Sequence, residues 1–477
     1  MKQSQNLYEY LYQVLKLQFL SGAFIPGRNF PSQRELCTQY NVGITTVRRV
    51  LKMLDEQGYI RTAQGQPTVV TYSPSEETYT AYLVQRRSEI ADAYKGMELL
   101  MPVLYCEGAK RCGEPEFTFF RKLVGEISEQ MPLDRLYRQA NMFLTRLLRP
   151  MDNQLIMDLE RDSENYLHIP YIPVPDVDDP FALSAKRLKV WMQRAVSQIE
   201  NGQFEDFRAG TAALYQESAR RVDGYLRALG HHTSEQKQAS DTIHWFRTKD
   251  RCELYARLTM TIIRRIVNGE FDGQKYLPSI PKLMEEYGVM KDTASKAVAL
   301  LNSLGFARTL DKKGTMIALH GTTAAMGSVD FSEPLIRKRI QYFMDALQIV
   351  ALTARSCAVS FTSVPESLVP FMEDRLSAAQ GRRITPQSFQ LLMDSFTQMT
   401  PCHSLKNIFG QLEELIIWGH YLQAADPALF PDPHHISAAM EQVVKALKTH
   451  TGLADAYGNA FSLIYRDVCS VISQMEL

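Results

Sequence analysis

The 477-residue sequence predicts a mainly α chain built from one plan used twice: a compact three-helix unit closed by a small β-hairpin, then a longer all-helical bundle. Two observations predict it. Apolar residues recur at helical spacing through most of the chain. In addition, the stretch LYEYLYQVLKLQFLSGAFIPGRNFPSQRELCTQYNVGITTVRRVLKMLDEQGYIRT returns 247 residues later as LYARLTMTIIRRIVNGEFDGQKYLPSIPKLMEEYGVMKDTASKAVALLNSLGFART. Tyr8, Gly22, Phe24, Pro31, Ser32, Tyr40, Val42, Thr46, Leu54 and Gly58 pair with Tyr255, Gly269, Phe271, Pro278, Ser279, Tyr287, Val289, Thr293, Leu301 and Gly305; Gly27 pairs with Gly273 after a one-residue adjustment within that turn.

Each copy begins with a helix, over residues 6 to 21 in the first, and passes through a turn rich in Gly and Pro. A short helix opens after the Pro-Ser pair, and a tight Tyr-Asn-Val-Gly or Tyr-Gly-Val turn leads to a third helix. In that third helix Val47, Val50, Leu51 and Leu54 fall at i, i+3, i+4 and i+7 and form one core face. Thr45, Arg48, Arg49 and Lys52 repeat the spacing two positions earlier, which turns them by roughly 200° to the opposite side. The acids wait until Asp55 and Glu56, so this stripe is positive where a solubilising face would mix signs. A β-prone tail follows, YIRTAQGQPTVVTY in the first copy and FARTLDKKGTMIALH in the second, each with two strand-like runs around a turn. Helix, helix, turn, helix and hairpin describe a winged helix-turn-helix, whose third helix presents side chains to the DNA major groove.

At these residues the sequence resembles the N-terminal domain of GntR-type bacterial transcription regulators. The resemblance is carried by G-x-F-x-P-G (Gly22 to Gly27), P-S-x-R-x-L (Pro31 to Leu36), V-x-x-x-T-V-R (Val42 to Arg48) and L-x-x-x-G (Leu54 to Gly58). It implies double-stranded DNA as partner, with contacts from Ser32 and Arg34, from Thr46 and Arg48, and from the wing around Gly65. The chain departs from the family at Ile44, where Arg is usual.

Behind each head the sequence is helical, with EIADAYKGMELLMPVLYCEGAKRC answering PLIRKRIQYFMDALQIVALTARSC, and each region is broken by prolines at residues 168 to 180 and 425 to 435. About six helices per region resemble the FCD-like effector bundle of one branch of GntR-type regulators. The expected domains are 1–75 and 250–320 for the heads, and 80–230 and 331–477 for the bundles. That layout implies an intramolecular pseudo-dimer, leaves room for homodimers, and gives a small-molecule effector a place to bind.

Composition narrows the function. The net charge is zero, so nucleic-acid binding has to come from a local patch. The seven cysteines lack any C-x-x-C pair, and no apolar run approaches the ~18 residues of a membrane span. A cytoplasmic protein that keeps clear of membranes is expected. No P-loop, dinucleotide fingerprint, G-x-S-x-G or H-E-x-x-H occurs, so neither enzymatic activity nor a cofactor is expected. The one-Asp, three-His metal pattern common behind such heads is missing: His168 stands alone in the first bundle, and His403, His420, His434, His435 and His450 fit no matching pattern in the second. Asp432 beside His434 and His435 reads as helix capping, and Asp176, Asp178 and Asp179 as solvated loop charge. Cys106 and Cys112, six apart, read as core thiols, and Arg111 and Arg355 as charges facing helix C-terminal dipoles.

The two heads differ in where charge sits. Residues 6 to 73 carry 7 basic and 4 acidic side chains, and residues 252 to 320 carry 10 and 7, so each has a surplus of three. The positions matching Thr45, Arg48, Arg49 and Lys52 are Asp292, Ser295, Lys296 and Ala299, and Pro281 replaces Arg34. The second head keeps Lys291, Thr293, Lys296, Lys312 and Lys313, a set suited to phosphate contact more than to base reading. The reading that follows is a DNA-binding regulator whose first head reads bases and whose second adds backbone affinity. Its rivals are a protein-interaction module and a small-molecule sensor or enzyme, each with vestigial heads.

Overall fold

The computed structural model describes residues 7–20, 24–40, 42–63, 65–73, 75–128, 130–167, 169, 184–231, 254–267, 270–271, 273–304, 306–317, 331–379, 386–419 and 433–475. The chain is mainly helical and divides into two compact units, Met1–Asp250 with Cys402–Ser404, and Arg251–Pro401 with Leu405–Leu477.

The first unit opens with α1 (Leu7–Leu20), α2 (Gln33–Tyr40), α3 (Ile44–Glu56) and the antiparallel pair β1 (Ile60–Arg61) and β2 (Val69–Val70). α1 buries Leu11, Leu15 and Phe19, and α3 buries the expected Val47, Val50, Leu51 and Leu54. Phe19 stacks on Phe30 at 5.4 Å and meets Phe24 and Tyr59 at 4.7 and 5.2 Å. One aromatic cluster thus joins α1, the turn after it and the base of the hairpin.

The L-x-x-x-G motif has a structural cause at the end of α3. Gly58 takes φ +77°, its N–H donates to Asp55 O at 3.0 Å, and the Tyr59 N–H donates to Leu54 O at 2.9 Å. This is a Schellman cap, which satisfies the last carbonyls of α3 and turns the chain into β1 with Tyr59 directed at the core. The hairpin gains a third short edge, because the Phe30 N–H donates to Thr68 O at 2.7 Å and the Val70 N–H to Arg28 O at 2.9 Å.

The helical region behind this head comprises α4 (Glu76–Gln85), α5 (Arg87–Ala109), α6 (Glu114–Gly125), α7 (Leu133–Leu148), α8 (Gln154–Leu167), α9 (Ser184–Glu200) and α10 (Phe204–His231). Among the described residues that makes seven helices where about six were expected, the extra one being the short α4. α5 is the central element, packing on α10, α7 and α8. Its approach to α7 is so close that a Cβ on Gly108 would lie 2.1 Å from Leu147 O.

The second unit repeats the opening order of three helices and a hairpin and then, among the described residues, has six helices where the first has seven. α11 (Leu254–Val267), α12 (Ile280–Tyr287), α13 (Lys291–Ser303), β3 (Ala307–Leu310) and β4 (Gly314–Ile317) precede α14 (Pro334–Ala358), α15 (Leu368–Ala379), α16 (Pro386–Met399), α17 (His403–Ile416), α18 (Pro433–Thr449) and α19 (Leu453–Gln474). The Phe306 N–H donates to Leu301 O at 3.0 Å, the counterpart of the bond from Tyr59 to Leu54. α14 and α19 form the main helix pair, and Phe396, Phe409, Tyr457 and Phe461 interlock edge to face in the core between helices. No helix among the described residues is long and apolar enough to cross a membrane.

Candidate nucleic-acid interface

α3 packs against both α1 and α2, and Thr45, Arg48, Arg49 and Lys52 are all exposed on its outer side. Consecutive residues on a helix diverge by about 100°, so the two arginines lean in different directions. Arg49 turns toward α1, where its guanidinium lies 3.4 Å from the centre of the Tyr8 ring. Arg48 turns toward α2, where its Nε donates to Gln33 Oε1 at 3.2 Å. Lys52 extends into solvent 3.7 Å from Glu56, with the two side chains 77% and 62% exposed, a pairing that holds it only weakly. Thr46 is half-buried beside them.

The start of α2 adds a second part. The Ser32 N–H donates to Glu35 Oε2 at 2.7 Å and the Glu35 N–H donates to Ser32 Oγ at 3.2 Å, a reciprocal capping box. The bond from the Ser32 backbone, with its side-chain bond second, holds the Glu35 carboxyl below the usual carboxylate range. Ser32, read from sequence as a DNA contact, therefore has its hydroxyl engaged with Glu35, the oxygen accepting from the Glu35 N–H and the proton facing its carboxyl. A phosphate contact from it requires the hydroxyl to turn away from Glu35. Arg34 is exposed in the first turn of α2. An open groove of about 1270 Å³ separates this helix start from the wing, lined by Asn29, Ser32, Gln33, Arg34, Gln66 and Thr68 among others. Asp55 ties α3 to the wing by accepting from the Thr62 N–H at 3.1 Å and the Thr62 hydroxyl at 2.6 Å, and Gly65 makes the wing turn at φ +75°.

Gln33, Glu35, Gln66 and Thr68 were missed by sequence reasoning. The S-x-x-E spacing of Ser32 and Glu35 was a signal for the capping box. Nothing in the sequence marked Gln66 or Thr68, which reach the groove only because β2 pairs with the Arg28–Phe30 edge.

In the second unit Lys291 opens α13, Lys296 Nζ lies 2.9 Å from Asp292, and Thr293 is half-buried. Lys312, at φ +57°, and Lys313 are exposed in the turn between β3 and β4. Pro281 sits in the first turn of α12, and the side chain of Ser279 makes no capping bond. Lys282 stands where Glu35 stands in the first unit, so the carboxylate half of the box is missing. The structure brings Ser32 and Arg34 together with Gln66 and Thr68 of the wing around one groove, and Arg48 bonds Gln33 of its lining. In the second unit Lys291 and Lys296 lie on α13, where Asp292 offsets part of their charge, and Lys312 and Lys313 lie apart in the hairpin turn.

Among the described residues no cluster of His, Cys, Asp and Glu could hold a metal ion. His434 and His435 belong to the first turn of α18 and do not precede it. Asp432, His168, His420, Asp176, Asp178 and Asp179 lie outside the described residues. Burial pushes the Cys106 thiol up to about 11 and the Cys112 thiol to about 12, and both donate to backbone carbonyls, of Phe204 and Gly108. Cys106 is thus a core thiol as read, whereas Cys112 is half-buried beyond the end of α5 and not in the core. A raised thiol holds little thiolate and is a poor nucleophile. Arg111 lies past the end of α5, and Arg355, in the last turn of α14, also bonds Asp455 and Asn459 of α19, so an inter-helix ion pair adds to its place at the helix C-terminus.

One buried polar cluster in the first helical region had no sequence signal. The Tyr105 hydroxyl donates to Glu160 Oε2, and burial raises Glu160 to about 7 and the neighbouring Glu164 to about 8.

Residues 7–70 match the family model for bacterial regulatory proteins of the gntR family. The chain is 33% identical over 103 residues to the HTH-type transcriptional repressor YtrA of Bacillus subtilis (strain 168), covering 20% of this chain and 79% of YtrA. It is 39% identical over 67 residues to the uncharacterized HTH-type transcriptional regulator YurK of the same organism, covering 14% of this chain and 28% of YurK. The chain thus spans little more than a quarter of YurK's length. Among solved structures, Streptococcus agalactiae GntR aligns at 16% identity and a TM-score of 0.23, covering 45% of this chain and 99% of that one. E. coli McbR/YncC aligns at 15% identity and a TM-score of 0.25, covering 46% and 97%. At those TM-scores the superpositions carry no argument. A helix-turn-helix head with a hairpin wing and a basic outer face defines a transcription-regulator class of protein. The chain belongs to the GntR family of bacterial regulatory proteins.

Proposed function

We propose that this regulator binds double-stranded DNA through the outer face of α3, the start of α2 and the wing of residues 1–75. The observation that carries the reading is the placement of Arg48: exposed on α3 and steadied by Gln33, which itself lines the groove between α2 and the wing. A guanidinium so held suits bidentate donation to guanine O6 and N7. Ser32, Arg34, Lys52 and the backbone around Gly65 supply phosphate contacts, and Thr45, Thr46 and Arg49 complete the face.

In the same reading the chain is a tandem duplication. The segment 250–320 is a second winged helix-turn-helix, with Lys291, Thr293, Lys296, Lys312 and Lys313 touching phosphates. Residues 80–230 and 331–477 are FCD-like effector bundles that respond to a small molecule without catalysing a reaction. Support comes from the 247-residue repeat and from the shared opening order of three helices and a hairpin in the two units. One chain then acts as a pseudo-dimer in the cytoplasm, and tethering raises the second head's local concentration to about the millimolar range.

Selection of bound duplexes from a random pool with the full chain tests the proposal. Enrichment of a defined motif is the expected result. Binding that stays equal across sequences at every salt concentration would rule out sequence reading by this chain.

A further inference from the structure

Ile44 is an anomaly on the α3 surface. It is the first residue of α3, it is 40% exposed, and it does not belong to the core cluster that Val47, Val50, Leu51 and Leu54 build. A large β-branched side chain in water at the tip of a helix gains nothing from folding. Arg48 follows it at i+4, so the two side chains are neighbours on the side of α3 that faces α2. Gly43 precedes it in an extended conformation, and a Cβ there would meet only Thr45 Oγ1, at 3.9 Å, so the helix tip is uncrowded.

We propose that Ile44 reads the 5-methyl group of a thymine, so that the first head selects a T·A pair next to the base pair met by Arg48. The inference rests on the DNA-reading role proposed above. The N-terminal residues of a recognition helix are the ones that reach base edges. In the major groove the thymine methyl is the one apolar feature among the base edges, and an aliphatic side chain is its complement. Arginine at this position would donate to a guanine; isoleucine has no donor and would leave guanine O6 and N7 without a partner from this position. The two residues divide the work, Arg48 by hydrogen bonds and Ile44 by exclusion of water from a methyl group. The counterpart 247 residues later is Lys291, which suits a phosphate and not a methyl, so methyl reading belongs to the first head alone.

The test uses the full chain and a duplex selected from a random pool, with each thymine replaced in turn by uracil, which pairs identically but lacks the methyl group. One position, adjoining the base pair whose identity matters to Arg48→Ala, should lose about fourfold in affinity, the value of one buried methyl. Ile44→Ala should bind the thymine and uracil duplexes equally, and Ile44→Arg should shift preference at that position toward guanine. Equal binding of every uracil duplex by the unaltered chain would overturn the proposal. So would a uracil effect that persists in Ile44→Ala, or a selected motif without thymine beside the Arg48-dependent pair. Each of these leaves DNA reading by Arg48 intact. Absence of any selected motif would instead bring down the parent reading along with this one.

Discussion

The Nε of Arg48 donates to Gln33 Oε1 at 3.2 Å, which joins the outer face of α3 to the start of α2 as one surface. An arginine steadied before binding loses less side-chain freedom when it meets a base. Gln33→Ala should therefore reduce discrimination between a selected operator and a scrambled duplex by several-fold, in keeping with the ~0.5–1.5 kcal/mol of one hydrogen bond. The melting temperature should stay within a degree. Fluorescence anisotropy on both duplexes, with a thermal melt, checks both parts.

The buried carboxyls of the first bundle give a pH dependence with a definite sign. Burial raises Glu160 to about 7 and Glu164 to about 8, above their ordinary 4.5, so the folded state holds protons that the unfolded chain releases. Their contribution to stability is fully present below about 4.5 and is lost as pH rises through 7 and 8. Denaturant melts of the full chain at pH 6 and pH 8.5 should show the loss. Glu160→Gln, which keeps the acceptor for Tyr105 but cannot ionise, should make the two melts more nearly equal.

Gly108 is predicted to tolerate no side chain. A Cβ there would meet Leu147 O at 2.1 Å, and both partners are helix backbone that cannot swing aside. Gly108→Ala should cost about 3 kcal/mol through overpacking. Gly210, whose Cβ would meet nothing within 4 Å, is the control, and Gly210→Ala should be neutral or stabilising. A chemical melt of each variant separates them.

The proposed division of labour predicts a particular salt response. Replacing Lys291, Lys296 and Lys312 together, each by Ala, should weaken binding to operator and scrambled duplex alike. The slope of log affinity against log salt should fall by about 0.9 for each phosphate that a lysine no longer neutralises. Weakening confined to the operator would assign sequence reading to the second unit.

Much of this was legible in the sequence because helical period fixes which residues turn inward. Val47, Val50, Leu51 and Leu54 are buried as the spacing requires, and the opposite stripe is exposed. Period alone does not say what stands beside a stripe, so the divergence of Arg48 toward Gln33 and of Arg49 toward Tyr8 became visible only with α1 and α2 in place. Ser32 shows a second limit. Its spacing to Glu35 is that of a capping box, and the same position matches a DNA contact in the family motif, so the sequence alone supports both roles. The pairing of Tyr105 with Glu160 joins residues 55 positions apart on different helices, and neither position looks unusual locally.

Base reading by the α3 face is tested most directly by Arg48→Ala in the full chain. Affinities of the variant and the unaltered chain for the selected operator, and for duplexes changed at one base pair at a time, should be measured at fixed salt. Preference at a single base pair should fall by about 1–3 kcal/mol while affinity for scrambled DNA barely changes. An unchanged selection profile and affinity would mean that the basic stripe of α3 is a solvated surface and that base reading resides elsewhere.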